Sequence, residues 1–485
     1  MLKFGYPAEP PTLDPLAAGG ASAATRDILR PVLPALFKLD ADLRPQPDLA
    51  ARWPLEADID FDPFSVAVEL REANWSDGKP ISAEDVRFSL ERLRSGPTGY
   101  RYRYLRAVDV LGPRSFRLRF DRVVRRWWAL FSLDDMILPA HAYSEQWDRG
   151  PTVSGGPFSI GEWTDGLQVT LRRNETYWGA KPILRGIDVV FVPDDETRFQ
   201  LLQLDEIDAF FAPGEVNIGR RASARGLEPT NKALQGRGEA SNKWSGSWWE
   251  LDIDAGKVGA NVAQAVIEAV DPILADEIFE DSGRPMNSIP SSFVDESDQQ
   301  LPWAARGDLA EARGLLGTGG RRSFQLAFPR VSGGGGIATF IHFRLRELGI
   351  TAELVALEPD SFEKTWLPER RTAAVLRLRR AADAVDASAY AEVAAQVGAA
   401  PIDEAATSAE STVSMEVIER GPVTGLDDAS WLSAQQGLVD AATVAPLVRT
   451  RTWIIGDDGV FGPVPGDALS GPFWNSATWR LEATN

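Results

Sequence analysis

Side chains able to make or break bonds are scarce in this 485-residue chain. It has no cysteine, which removes disulfides, thiol nucleophiles and thiolate metal sites. Its two histidines, His141 and His342, lie far apart, so neither an H-E-x-x-H helix nor a three-histidine zinc site can form. No nucleophile elbow, Walker A loop or G-x-G-x-x-G fingerprint occurs. Asp134-Asp135 and Asp194-Asp195 are adjacent acids; neighbours on a strand point to opposite faces, so both pairs read as solvated carboxylates. Ser332–Gly336, "SGGGG", could offer N–H groups to an anion but lacks a phosphate loop's lysine, and reads as a flexible connector. His342 sits among apolar helical positions and reads as structural. The 16 tryptophans are a different matter. Trp244, Trp248 and Trp249 crowd one segment. Core packing accounts for any one indole, while the group supplies a candidate for lining a ligand cleft. The inventory favours recognition over catalysis.

The elements around these residues are mostly regular. "FSVAVELREANW" alternates as a half-buried strand should. Ser76-Asp77-Gly78-Lys79-Pro80 is a turn, Ser82 caps a helix, and Asp85 three residues on forms a capping-box variant. Val86, Leu90 and Leu93 then recur at helical spacing. The segment beginning "ATRDILRPVLPALFK" predicts an apolar helix. "SFRLRFD", "LQVTLRR" and "GIDVVFVPD" predict strands. From about residue 245, strand and helix alternate: "WSGSWWELDID", a helix in "NVAQAVIEAVDPILADEIF", another in "RGDLAEARGLLGTGG", a strand "SFQLAFPR", a helix with Ile337, Phe340, Ile341, Leu345 and Leu348 on one face stopped by Gly349, and a strand "TAELVAL". That alternation predicts α/β layering. Residues 397–427 lack aromatics and predict exposed helices or loops.

A formal charge of −19 argues against nucleic acid or anionic membranes as partners. No run approaches the ~20 apolar residues that span a bilayer. The opening "MLKFGYPAEPP" lacks a signal peptide's apolar core, leaving either a cytoplasmic protein or one whose signal has been removed.

"WSDGKPISAEDVRFSLERL" resembles the signature segment of the family 5 extracellular solute-binding proteins of ABC transporters, the oligopeptide-, dipeptide- and nickel-binding group. "PPTLDP", "RPQPDLAARW", "GGPFSIGEWTDGLQVTLRRNETYWGAKPILRGIDVVFV", "DLAEARGLL", "LRELGITAEL" and "VAPLVRTRTWII" with the late Trp479 resemble further family segments in the family's order. Two places depart from it: "GKVGANVAQAV" stands where D-x-R-V-R-x-A is usual, and "DAVDASAY" lacks the usual D-P.

The resemblance implies a two-lobe periplasmic-binding-protein-like fold. Its first lobe is discontinuous: residues 1–38 and 151–245, an inserted subdomain at 39–150, and a return at 446–485 after a second lobe at 246–445. It implies capture of a peptide-like or other small polar solute between the lobes, no cofactor, a monomer, an ABC permease as partner where transport is coupled, and an extracellular or periplasmic location reached through a removed N-terminal anchor. A solute-sensing or accessory protein of the same fold is the alternative. In peptide-binding relatives an acid ahead of the D-P position holds the peptide amino group, beside a tryptophan three residues earlier. On "LRRAADAVDASAY" these positions are Asp383 and Arg380. Arg380 would favour an acidic group on the ligand; a surface ion pair between the two is the plainer alternative. With Trp244, Trp248, Trp249 and Tyr390 they form the expected ligand-binding set.

Overall fold

The computed structural model describes residues 1–286, 306–380 and 444–482, apart from short stretches at 18, 21, 40–44, 96–98, 103, 123, 125–126, 132–135, 145–146, 273, 275–276, 318–321, 359–360, 363–365, 367–368, 370 and 467–470. Asp134-Asp135, residues 397–427, Asp383 and Tyr390 therefore lie outside the described residues.

The first strand of the chain, Leu2–Tyr6, is central to a sheet of twelve described strands. It runs parallel to Gly186–Phe191 on one side and to Ala209–Pro213 on the other. Burial on both faces explains why these strands are nearly unbroken apolar runs. Gly5 is needed there: a Cβ would lie 2.9 Å from both Ile207 and Phe210. Gln168–Arg173 and Phe158–Thr164 extend this half antiparallel. The expected helix after residue 22 is shorter than its apolar pattern, spanning only Ala23–Leu29. Pro31 and Pro34 have no N–H to continue the helical ladder, and the chain turns instead into the strand Phe37–Leu39.

The inserted subdomain is a four-stranded antiparallel sheet carrying the helix Ala83–Ser95. Asp85, 4% exposed, organises it. Its carboxylate accepts the Ser82 N–H at 2.8 Å, the Ser82 hydroxyl at 3.0 Å and the Ala140 N–H at 2.9 Å. This is the reaching-back half of a capping box, extended to fasten a distant loop.

Two long strands join the halves of the molecule. Glu239–Ile253 leaves the first lobe and Val444–Gly456 returns to it, antiparallel and hydrogen-bonded to each other. At one end the return strand pairs with Ala209–Pro213. At the other, the outgoing strand pairs with Ala374–Arg380, followed by Ser323–Pro329 and Thr351–Leu357. The pair is irregular midway: Trp244 faces Arg451 while Trp248 faces Arg449, so four positions on one strand match two on the other. The extra residues form a bulge where the sheet passes between lobes. After the return strand, Phe473 and Trp479 pack on Phe4, with ring centroids 5.1 and 5.4 Å away.

In the second lobe, Ile337, Ile341 and Leu345 are buried and Phe340 is partly buried on the helix Gly334–Arg346, while Leu348, expected on the same face, is buried in the turn that follows it. Gly349 follows at φ +72°, a conformation open to glycine. The glycine run is no flexible connector: Gly334, Gly335 and Gly336 form the first turn of this helix. Its glycines permit close packing. A Cβ at Gly333 would lie 2.2 Å from the Phe279 ring, and one at Gly334 would lie 3.0 Å from Trp249. His342 donates its Nδ1–H to the Ala352 carbonyl at 2.6 Å, a structural contact. The helix expected over "NVAQAVIEAVDPILADEIF" covers Ala260–Ala269 and ends before Pro272.

Candidate functional site

The carboxyl ends of the three parallel strands, at Tyr6, Phe191 and Pro213, share one edge of the first-lobe sheet. Such edges are where open α/β sheets bind ligands. Here the edge faces the second lobe. The Val216 N–H meets the Ser332 hydroxyl at 3.4 Å, and the Asn217 amide donates to Glu280 at 3.1 Å. Arg220 forms an ion pair with Glu280 at 2.6 Å. Asn217 and Glu280 both hold positive φ, at 58° and 48°, so the contact joins two constrained backbones.

A buried ion pair anchors this edge. Arg198 is 0% exposed and donates to the carbonyls of Val192 at 2.6 Å and Pro193 at 3.1 Å, as well as to the Glu215 carboxylate. It thereby ties together the segments that leave two parallel strands. Burial pushes the Glu215 carboxyl up to about 7; Arg198 and Arg221 pull it down, and Asp195 adds to the rise.

The crossing strands bring the aromatic segment to the same place. Pro213 pairs with Thr452, and the Gly214 N–H donates to the Arg451 carbonyl at 2.9 Å, so Arg451 lies just beyond the edge. Its guanidinium covers the Trp244 ring 4.0 Å from the centroid and hydrogen-bonds the Asn242 side chain. Arg284 covers the same ring at 5.0 Å. Arg284 is also in register with Arg449, so three arginines and an indole are grouped at the junction. All four side chains are partly buried.

The expected residues separate here. Trp244 is partly exposed within this group. Trp248 and Trp249 are 0% exposed. Trp248 donates its indole N–H to Glu250 at 3.1 Å, and Trp249 packs beneath Gly334. Arg380 ends its strand opposite Ser247, one strand away from the bulge. Asp383 and Tyr390 lie outside the described residues.

Sequence reasoning passed over Arg284, Arg449, Arg451, Arg198 and Glu215. For two of them a signal existed: the alternation in "VRTRTWII" places Arg449 and Arg451 on one strand face. Among the described residues no group of three His, Cys, Asp or Glu could hold a metal ion, and no helix is long and apolar enough to cross a membrane. The arrangement offers guanidinium donors and a flat aromatic surface, suited to holding a solute between two bodies.

Comparison with known proteins agrees with this architecture. The Periplasmic EDTA-binding protein EppA superposes with a TM-score of 0.80 at 18% identity, covering 100% of this chain and 96% of that one. DppA from Helicobacter pylori, solved in complex with the peptide STSA, gives 0.76 at 20% identity over 99% and 98%. These likenesses establish the two-lobe periplasmic-binding-protein fold. Protein XP55 of Streptomyces lividans is 28% identical over 365 residues, 67% of this chain; the chain spans 61% of that relative's length. The sequence model of the bacterial extracellular solute-binding proteins, family 5 Middle, matches residues 44–398. With its crossing strands, divided sheet and most of its length so matched, the chain belongs to family 5 of the bacterial extracellular solute-binding proteins.

Proposed function

We propose that this protein captures a small polar or peptide-like solute between its lobes, outside the cytoplasmic membrane, and hands it to an ABC permease without altering it. One observation carries the reading: an indole held between Arg284 and Arg451 at the edge where the two lobes meet, in a member of this family. The first lobe comprises residues 1–38, 151–245 and 446–485, the inserted subdomain 39–150, and the second lobe 246–445. The protein works as a monomer and needs no cofactor.

The solute carries at least one acidic group. Arg284 and Arg451 cover Trp244, Arg449 is in register with Arg284, and Arg380 ends the neighbouring strand. Guanidinium forks bind carboxylate or phosphate in two-pronged fashion. Asp383 and Tyr390, in the sequence that follows, are assigned to ligand binding on the family resemblance alone, Asp383 for a ligand ammonium. Trp244 contributes ring surface, and Trp248 and Trp249 support it from within the packing.

Mass spectrometry of small molecules released from the purified protein tests this directly. An acidic solute is expected, and Asp383→Ala and Arg380→Ala should each weaken its binding severalfold while the melting temperature of the free protein stays nearly constant. A purely hydrophobic or cationic solute, or unchanged affinity in both variants, would overturn the assignment. Incubation with peptides, esters and glycosides should yield no protein-dependent product; turnover would defeat the binding-only reading.

A further inference from the structure

We propose that Phe279 is a positioning residue for solute capture: its ring holds the second-lobe half of a brace that sets the angle between the lobes. The purpose, capture, rests on the function proposed above; the brace itself stands on contacts that need no solute. On the first lobe it consists of Val216, Asn217 and Arg220, and on the second of Glu280 and Ser332. Glu280 and Ser332 are far apart in sequence, yet each adjoins one member of an interlocked pair. Phe279, 0% exposed, precedes Glu280, and Gly333, at φ +85°, follows Ser332. A Cβ at Gly333 would lie 2.2 Å from the Phe279 ring, so only glycine lets this turn seat on the ring. Further into the helix Gly334–Arg346, a Cβ at Gly336 would lie 2.9 Å from Ile278. Gly333 and Gly336 thus form a slot for Ile278 and Phe279, and the slot fixes Glu280 relative to Ser332.

The keyed segment leads directly into the strands that join the lobes. The Ser282 N–H donates to the Phe279 carbonyl at 2.9 Å, and Gly283–Pro285 then pairs with the return strand at Val448, Arg449 and Thr450. Those residues lie beside the bulge where the crossing strands lose register. The first-lobe half is held as closely. A Cβ at Gly214 would lie 2.7 Å from the Thr450 hydroxyl, and Glu215 is bound by the buried Arg198. Two fixed halves that face each other across an irregular sheet fit together at one lobe angle, whereas loose halves would follow the lobes through many. Each contact alone is weak, an exposed ion pair or a single hydrogen bond. The brace therefore depends on how its residues are placed, and on the second lobe Phe279 places them.

The chain has no cysteine, so spin labels at Leu204→Cys and Phe343→Cys, both exposed, report the distance between the lobes in the whole, solute-free protein. Asn217→Gly combined with Arg220→Gln removes the first-lobe side chains of the brace and should raise the population at other lobe angles severalfold. Phe279→Leu should do the same with the brace residues intact. Gly333→Ala, which crowds the ring instead of trimming it, should match Phe279→Leu, with circular dichroism confirming the fold of each. In the Asn217→Gly, Arg220→Gln background neither change should alter the distances further, while Phe279→Leu still lowers the denaturation midpoint. A residue of the core and nothing more would lower the midpoint and leave the distances alone. Unchanged distances in folded Phe279→Leu or Gly333→Ala, or an equal change with and without the brace side chains, would overturn the proposal. Failure to bind any solute would instead defeat the capture reading, since these distances are measured without one.

Discussion

The subdomain helix and the interlobe junction are both built around a few polar side chains, by opposite means. At the helix, Asp85 receives donors from Ser82, three residues away, and from Ala140. Its regularity follows from local rules and makes scaffold. At the junction, Trp244 meets Arg451 and Arg284 only because distant strands come into register. Bulges, positive φ angles and grouped like charges gather there, all of which local rules disfavour. Local order marks the frame of this protein, and tolerated irregularity marks the place we propose as its binding site.

Four experiments would break or sharpen that contrast. The largest effect belongs to the frame. Asp85→Ala strands four donors, the Trp75 indole N–H at 3.5 Å among them, and should cost about 3 kcal/mol in denaturant unfolding, with solute affinity unchanged; a large affinity loss in the folded fraction would erase the distinction between frame and site. Trp244→Ala should do the reverse: it weakens solute binding about tenfold while stability falls by about 1 kcal/mol, as calorimetry and thermal melts would reveal. Glu215→Gln reports through pH. The native carboxyl, raised from an ordinary 4.5 to about 7, binds more protons in the folded than in the unfolded state between those values. Its contribution to stability is therefore full below pH 4.5 and lost as pH rises towards 7. Subtracting the melting curve of the glutamine variant from that of the native protein across this window should isolate the slope; identical pH dependence of the two would place Glu215 in a wetter setting. The smallest effect is expected for Glu280→Gln. It weakens an exposed contact with Arg220 and should change stability by less than about 1 kcal/mol, yet shift small-angle scattering of the ligand-bound protein towards a larger radius. Unchanged scattering would remove this contact from lobe closure.

The same contrast explains what the sequence could and could not say. The Ser82–Asp85 cap and the buried face of Ile337, Ile341 and Leu345 agree with the sequence reading, because each follows from short spacing. The glycine run was misread because its cause, the rings of Phe279 and Trp249, lies far off in sequence. Spacing could not separate Trp244 from Trp248 and Trp249, since burial of each depends on partners about 200 residues later. Arg198 and Glu215 look like ordinary surface residues in isolation, and only the packing of the parallel strands puts them inside.

The position of the first strand also bears on how the protein is made. Leu2–Tyr6 finds its neighbour Gly186–Phe191 about 185 residues later, and the outgoing crossing strand waits about as long for its return partner. At about 5–20 residues per second of synthesis, the opening strand spends roughly 10–40 s without its partner. Pairings this remote in sequence also slow the final search. The nascent chain therefore carries a bare apolar strand for as long as the next 180 or so residues take to be made, open to any factor that binds unfolded segments.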